Sequence, residues 1–410
     1  MPATPKQRPR IFYGWYIVLA HMAIHFYMSV IVFYGMGVFL GPILKAFPWT
    51  RAQFSFAIGL QRIEGSVASP IIGFIVDRFG SKRVVWISVV LMSGGLILMS
   101  QVQSLTQFYL ANLVVAAGVS GAIGIPYTVP IAHWFNKKRG RAMGVMFSGP
   151  TISGIFLPLI VLGIAEIGWR PTLLICGIGV LGVGIPGALI VRDRPERYGY
   201  FPDGDSTPRS FDLNPDYGLP LVEALKTRSF WLITMIFGLV GMGPSAMLLH
   251  QVPYFESIGF STSIAATTVA TMLIFSGFGR IFTGFLLDYM DLRKVLLGLI
   301  VLHVAGLLLL LRVTAYWHTL AYAVLFGISF GGTIPAGPIL AGVYFGTRSF
   351  GAITGLIQSL GVVGGVLAPV LLGAIYDSSG TYSSGLIILA VLIGAAIPLV
   401  FLLPKPLTTR

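Results

Sequence analysis

Gly73-Phe74-Ile75-Val76-Asp77-Arg78-Phe79-Gly80-Ser81-Lys82-Arg83 is a short polar crossing between two apolar segments. Its pattern returns 211 residues later as Gly284-Phe285-Leu286-Leu287-Asp288, followed by Arg293 and Lys294. The frame holds beyond the loop: Gly140 matches Gly351, Gly144 matches Gly355, Ser148 matches Ser359, Gly154 matches Gly365 and Pro158 matches Pro369. Chance glycine matches are easy in a chain with 51 glycines. An aspartate and a proline in the same frame, at the same places in successive segments, make internal duplication the better account.

The segments joined by these loops are of membrane-spanning length. Hydrophobic residues make up 55% of the chain and charged residues 10%, and mean hydropathy is +0.86, far outside the range of soluble domains. Crossing ~30 Å of hydrocarbon takes about 20 apolar residues in a helix. That length predicts spans over 14–42, 52–76, 83–101, 105–134, 140–163 and 170–191, then over 228–255, 262–287, 292–311, 316–345, 350–375 and 382–403. The expected fold is therefore all-α, with twelve transmembrane helices in two pseudo-symmetric six-helix bundles, 1–192 and 227–410. Between them, 193–226 is rich in Pro, Gly, Asp and Arg and reads as an aqueous linker, preferably a flexible tether. Duplicated halves of this kind place a binding site at their interface near mid-membrane, with rocking of the halves giving access to each side in turn.

Charge sets the expected orientation. With the N-terminus inside, 21 of the 27 lysines and arginines fall in segments on that side, while only Lys45, Arg51, Arg170 and Arg312 fall on the other. Basic residues in short loops stay cytoplasmic, so both ends are expected in the cytoplasm of a multi-pass protein of the inner (plasma) membrane. The net charge of +13 is thereby explained by topology and lipid rather than by nucleic acid. The basic start, Lys6, Arg8 and Arg10, precedes an apolar stretch too long for a signal-peptide core and reads as a retained first helix. Lone Cys176 excludes a disulfide within the chain and a multi-cysteine metal site. No metal or cofactor is expected.

Two arginines, Arg62 and Arg280, lie within spans, and Arg280 is the informative one. From Ala265 to Leu287 it is the sole charge. An arginine at mid-membrane costs roughly 2.5–3.5 kcal/mol on insertion scales and cannot deprotonate, so it needs a wet cavity or a counter-charge. Two readings stand: a partner anion that comes and goes, or a permanent ion pair with an acid on another helix. Glu64 is the one acid deep in a span, about 13 residues or ~19 Å along a helix from Asp77. It reads either as a proton site or as a hydrogen-bonding structural group. The spacing of Arg62 and Glu64 points them to different sides of one helix.

The loop Gly73 to Arg83 resembles the motif between helices 2 and 3 of the major facilitator superfamily, with Gly284 to Asp288 as its weaker second copy. The resemblance implies a cytoplasmic latch built from Asp77, Arg78, Lys82, Arg83 and Asp288. Within that superfamily, three stretches resemble the monocarboxylate transporter family and its bacterial relatives: Tyr13-Gly14-Trp15-Tyr16, Trp134-Phe135-Asn136-Lys137-Lys138-Arg139-Gly140-Arg141-Ala142-Met143-Gly144 and Gly279-Arg280-Ile281-Phe282-Thr283-Gly284. The third implies that Arg280 binds substrate carboxylate. Where animal members carry an aspartate one turn before this arginine, the chain has Ser276. Where they carry a helix 1 lysine, it has Tyr34 or Gly35. Where oxalate exchangers carry a helix 11 lysine, its most polar candidate is Gln358.

Other candidates rest on residue type alone. His250, in the outer half of helix 7, reads as a carboxylate donor or as a packing residue, with His21, His25 and His303 as alternatives. Tyr34, Tyr127, Ser276 and Gln358 are candidates for orienting a hydroxy or keto group. The run Gly118, Ser120, Gly121, Ala122 and Gly124 reads as a close-packing face. Pro126, Pro130, Pro335 and Pro338 predict bends or breaks in helices 4 and 10. Together these readings predict a secondary transporter, a monomer sufficing, that moves a small monocarboxylate of the lactate or pyruvate type with H+. An oxalate or formate exchanger is the alternative, and a channel or membrane enzyme has less support. No nucleophile, metal cluster or cofactor motif argues for an enzyme.

Overall fold

The computed structural model of the protein describes residues 11–205 and 217–404. Lys6, Arg8, Arg10, Arg209, Lys405 and Arg410, and the side chains of Arg51 and Arg62, lie outside the described residues. Twelve long helical segments account for most of the rest: α1 (Gly14–Ala46), α2 (Arg51–Phe79), α3 (Ser81–Ser100), α4 (Leu105–Trp134), α5 (Arg139–Ile167), α6 (Trp169–Ile190), α7 (Arg228–Ser257), α8 (Thr262–Tyr289), α9 (Leu292–Leu310), α10 (Tyr316–Phe345), α11 (Phe350–Ser379) and α12 (Ser383–Phe401). Among the described residues, eleven are long and apolar enough to cross a membrane. The twelfth, α2, has 29 residues and ample length, but Gln53, Gln61, Glu64 and Asp77 lower its hydropathy. An all-helical architecture follows from the solvent, because inside hydrocarbon each backbone N–H and C=O must find its partner within its own segment.

Local chemistry marks the ends. Thr50 and Gln53 form a reciprocal capping box at the start of α2, at 2.9 and 3.1 Å. Ser104, Thr227, Ser261 and Asp291 cap α4, α7, α8 and α9. Gly80 alone separates α2 from α3, at φ 87°, a conformation that side chains with a Cβ rarely adopt.

Four helices depart from regularity, α12 by a single turn residue at Ala395. In α1, residues Ser29–Gly35 form a π-helical segment. In α4 the helix breaks at Gly124, φ 71°, and restarts with Pro126 in its first turn, where a missing N–H does no harm. α5 passes through a short 3-10 stretch at Gly154–Phe156. Of the bend or break expected in α10, a break is absent: Tyr316–Phe345 runs as one helix through Pro335 and Pro338.

α3 packs against α4 and α6, while α8 packs against α10 and α7 against α11. Across the junction of the halves α5 meets α10, and α4 meets α10 and α11, but two contacts dominate it, α2 on α11 and α5 on α8, and the 211-residue repeat converts one into the other. Both are close because glycine lies on glycine: a Cβ on Gly73 would strike Gly351, and a Cβ on Gly284 would strike Gly140. These crossings sit at the end of the molecule that carries the basic loops.

The linker is more ordered than a tether where it is described. On one side Asp203 accepts from the main-chain N–H groups of Asn136, Lys137 and Lys138 at 3.0, 2.7 and 3.0 Å, and Asp193 accepts from Ser81 at 2.6 Å. On the other, Tyr217 O accepts from Thr347 and Arg348 at 2.8 and 3.1 Å, and Gly218 bridges Gly346. Asn136 and Lys137 are the repeat mates of Thr347 and Arg348. The linker therefore caps equivalent loops in the two halves.

Candidate functional site

Arg280 lies on α8, 9% exposed, with its Nη1 donating to the main-chain carbonyl of Phe147 at 2.5 Å. Its Nε is buried and has no partner. Among the described residues no carboxylate lies within ion-pair distance of it, so the permanent ion pair is not formed. A charged fork with one arm on a carbonyl and an Nε without a partner has donor capacity to spare, in the planar geometry that carboxylates accept.

The surroundings of the guanidinium come from α1 and α5. Tyr34, in the π-helical segment, and His25, just before it, are both near enough to feel the charge of Arg280. π-Helical stretches inside α-helices are frequent at functional sites, because the extra residue re-aims the side chains that follow. His25 stacks edge-on against His21 (5.1 Å) and Phe147 (6.5 Å) and lies 6.4 Å from Phe33. Its Nδ1 is buried without a partner. Ser276, one turn before Arg280 on the same face of α8, is fully buried with an unpartnered Oγ. α8 can approach α5 here because Gly277 faces Thr151.

Other predicted site residues lie elsewhere. His250 has both ring nitrogens engaged inside the second half, with Tyr382 Oη at 3.3 Å and Pro369 O at 3.0 Å, so it is a packing residue that ties α7 to α11. Tyr127 is wholly buried behind His21, 4.7 Å between ring centres, with its hydroxyl near Gly187. Gln358 is exposed on α11 and makes no hydrogen bond. Glu64 accepts from Ser120 at 2.8 Å, and nearby Gln61 donates to Asn112 at 2.8 Å. Both bonds join α2 to α4 within the first half, so Glu64 has a structural partner rather than a place beside Arg280.

At the basic end the two repeat aspartates cross between the halves. Asp77 accepts from the N–H groups of Gly351 and Ala352 at 3.0 and 2.9 Å, at the start of α11. Asp288 accepts from those of Gly140 and Arg141 at 2.7 and 3.1 Å, at the start of α5, and pairs with Arg141 Nε at 2.8 Å. Unpaired N–H groups and the dipole make a helix start a natural seat for a carboxylate. The expected cations do not join in: Arg78 lies over Phe79, 5.5 Å from its ring centre, and Lys82 and Arg83 are exposed without hydrogen bonds or ion pairs. Sequence reading missed the donors because they are main-chain groups, and it passed over Arg141, whose position in the helix 4–5 motif was visible.

Two of the quoted motif stretches meet each other. Tyr13 and Trp134 rings lie 5.3 Å apart, and Trp15 and Phe135 rings 5.1 Å. Trp134 Nε1 donates to Arg192 O at 2.7 Å, fastening the end of α6 to the same cluster.

The sequence profile of the Major Facilitator Superfamily matches residues 22–288 and 245–410. The chain belongs to that superfamily. Its curated relatives include human monocarboxylate transporter 7, 24% identical over 90% of this chain and 82% of the relative. Mouse monocarboxylate transporter 11 is 26% identical over 95% and 87%, and the MFS transporter asaE of Aspergillus flavus is 25% identical over 81% and 71%. A solved Major Facilitator Superfamily transporter, FucP in its outward conformation, superposes with a TM-score of 0.70 at 14% identity, covering 95% of this chain and 98% of that one. This superfamily member is thus a multi-pass membrane transporter rather than an enzyme, and it resembles the monocarboxylate transporters.

Proposed function

We propose that this superfamily member carries a small monocarboxylate of the lactate or pyruvate type, together with a proton, by alternating access between the halves 1–192 and 227–410. The single observation behind this reading is Arg280: a buried fixed cation with an unpartnered Nε and no carboxylate beside it. One cation suits one carboxylate better than two, which favours a monocarboxylate over oxalate. The monocarboxylate transporters among its relatives support the same substrate class. Co-transport of H+ would cancel the anion's charge and remove the membrane potential from the energetics. A monomer in the plasma membrane with both termini cytoplasmic suffices for this cycle. Asp77 and Asp288, seated on helix starts of the opposite half, act as the latch of the state closed at the basic end.

Uptake of labelled lactate and pyruvate into proteoliposomes, with and without a pH gradient, tests the reading. Charge-assisted hydrogen bonds contribute about 1.5–3 kcal/mol each, and arginine's planar fork offers two in parallel. Arg280→Ala should therefore lower kcat/KM about a hundredfold or more, and Arg280→Lys about tenfold, with insertion and fold intact by size-exclusion chromatography. Wild-type transport by a well-folded Arg280→Ala protein refutes the carboxylate site.

A further inference from the structure

We propose that His25 is the proton-binding partner of Arg280: proton uptake by its ring accompanies anion binding at the arginine, and release of one favours release of the other. The proposal rests on the carboxylate reading of Arg280 and adds the group that carries the proton.

His25 and Arg280 meet through Phe147, whose carbonyl receives Arg280 Nη1 and whose ring faces His25. The two buried histidines of α1 differ in freedom. His21 has both nitrogens committed, Nδ1 to Met146 O at 3.0 Å and Nε2 accepting from Gly124 N–H at 3.2 Å. With its acceptor nitrogen occupied, His21 is held neutral. His25 has no such bonds, and its Nδ1 is unpartnered. Glu64, the acid expected to do this work, is bonded to Ser120 in another part of the first half.

The elements packed around this stretch of α1 bring few other titratable groups. α8 contributes Arg280 and the π-helical segment Tyr34. α4 contributes Tyr127, which stacks on His21, and His133, whose Nδ1 lies 2.8 Å from Val129 O; α6 contributes Cys176, whose carbonyl receives Tyr27 Oη. The first part of α5 carries Arg139 and Arg141, both at the basic end. The carboxylates on these elements lie at their ends, Asp288 at the basic end of α8 and exposed Glu166 at the far end of α5, so the balance of charge at the site rests on Arg280, His25 and the ligand.

Two cations side by side repel in a medium of low dielectric constant. An anion held at Arg280 offsets that repulsion, so anion and proton each strengthen the other's binding by the same factor. The proton comes from water on the open side, enters the unprotonated ring nitrogen, and leaves to water on the other side; no covalent bond beyond N–H changes. The empty site holds Arg280 alone as charge, and the loaded site holds arginine, carboxylate and imidazolium. Both carry one net positive charge, so both cross with equal electrical work.

Calorimetry of lactate and pyruvate binding across pH, in buffers of differing ionisation enthalpy, provides the test. Wild-type protein should take up close to one proton per anion where His25 starts neutral, and affinity should rise by up to about tenfold per pH unit as pH falls. His25→Gln should bind with no proton uptake and a flat pH profile, and should lose accumulation driven by a pH gradient. If His25→Gln folds poorly, the ring carbon resonances of histidine-labelled wild type replace it: His25 should move to the imidazolium position on adding lactate. A Gln variant that still takes up a proton, or a wild-type ring that stays neutral with lactate bound, overturns the assignment and leaves Arg280 untouched. Unchanged binding by Arg280→Ala, or no binding of either acid by wild type, overturns the carboxylate reading and this proposal with it.

Discussion

Asp77 and Asp288 occupy the same place in the two copies of one motif, yet they are not equivalent contacts. Asp77 belongs to the fuller copy, with Arg78, Lys82 and Arg83 beside it, and it reaches two main-chain N–H groups of α11. Asp288 belongs to the thinner copy, and it reaches two N–H groups of α5 and the guanidinium of Arg141. The Asp288 side chain has no exposure at all, and Arg141 is sandwiched over Phe285 and Tyr289, 5.6 and 5.3 Å from their ring centres. The copy that looks richer in sequence makes the sparser crossing. Motif strength reports how many charges sit in a loop, whereas latch strength depends on what those charges touch across the interface.

The largest expected effect breaks the comparison directly. Substituting asparagine weakens charge-assisted bonds to neutral ones, so Asp288→Asn should shift the equilibrium away from the state closed at the basic end by about tenfold or more, and Asp77→Asn by less. Spin-label distances between α5 and α8, and between α2 and α11, measure this in a Cys176→Ala background. Equal shifts would make the two latches interchangeable and remove the asymmetry.

Arg141→Gln sharpens the comparison by deleting a direct ion pair, where Asp77 has only the more distant charge of Arg194. The arginine side chain is 31% exposed, so its ion pair is discounted toward the surface range of about 0.2–1 kcal/mol. Main-chain donors should therefore carry most of the latch, and Arg141→Gln should shift the same spin-label populations only about two- to fivefold. A shift as large as that of Asp288→Asn would mean that the ion pair dominates instead.

The smallest effect concerns the linker, which supports the receiving loops. Burial pushes the Asp203 carboxyl above the ordinary aspartate range, against the opposing pull of the Lys138 and Asn136 N–H groups. A carboxyl whose pKa is higher folded than unfolded holds more protons in the folded state across that window. Its contribution to stability is accordingly lost as pH rises from the ordinary aspartate value through the raised one. Asp203→Asn, which has no charge to desolvate, should flatten this part of the Tm against pH curve in detergent. An unchanged slope would assign the dependence to another group.

Much of the architecture was legible because hydropathy reports it. The spans from 105–134 and 316–345 match α4 and α10 in their bounds, and the 211-residue frame showed that the two halves are copies. The break in helix 4 was legible from Pro126 and Pro130, and it falls at Gly124; the π-helical turn at Ser29–Gly35 was not, since it concerns which backbone groups pair, and apolar side chains are indifferent to that. Arg280 stood out because an arginine in hydrocarbon demands an explanation. His250 was placed ahead of His25 on residue type alone: each is a histidine in an apolar helix, and they differ in whether neighbouring atoms engage their nitrogens. Tyr127 and Tyr34 were separated only by the packing of α4 and α1.

The donors at Gly351, Ala352 and Gly140 belong to the main chain and survive any substitution except proline, so one side of each latch is supplied by the fold and not by residue choice. Gly140 and Gly351 are held small by the backbone opposite them, a constraint of volume separate from the hydrogen bond. Comparison of many homologous chains would then find Asp77 with no position changing in step with it, whereas Asp288 has the Arg141 side chain as a companion. The Asp77 crossing would be invisible to methods that infer contacts from correlated substitution, although it joins the two halves through two hydrogen bonds.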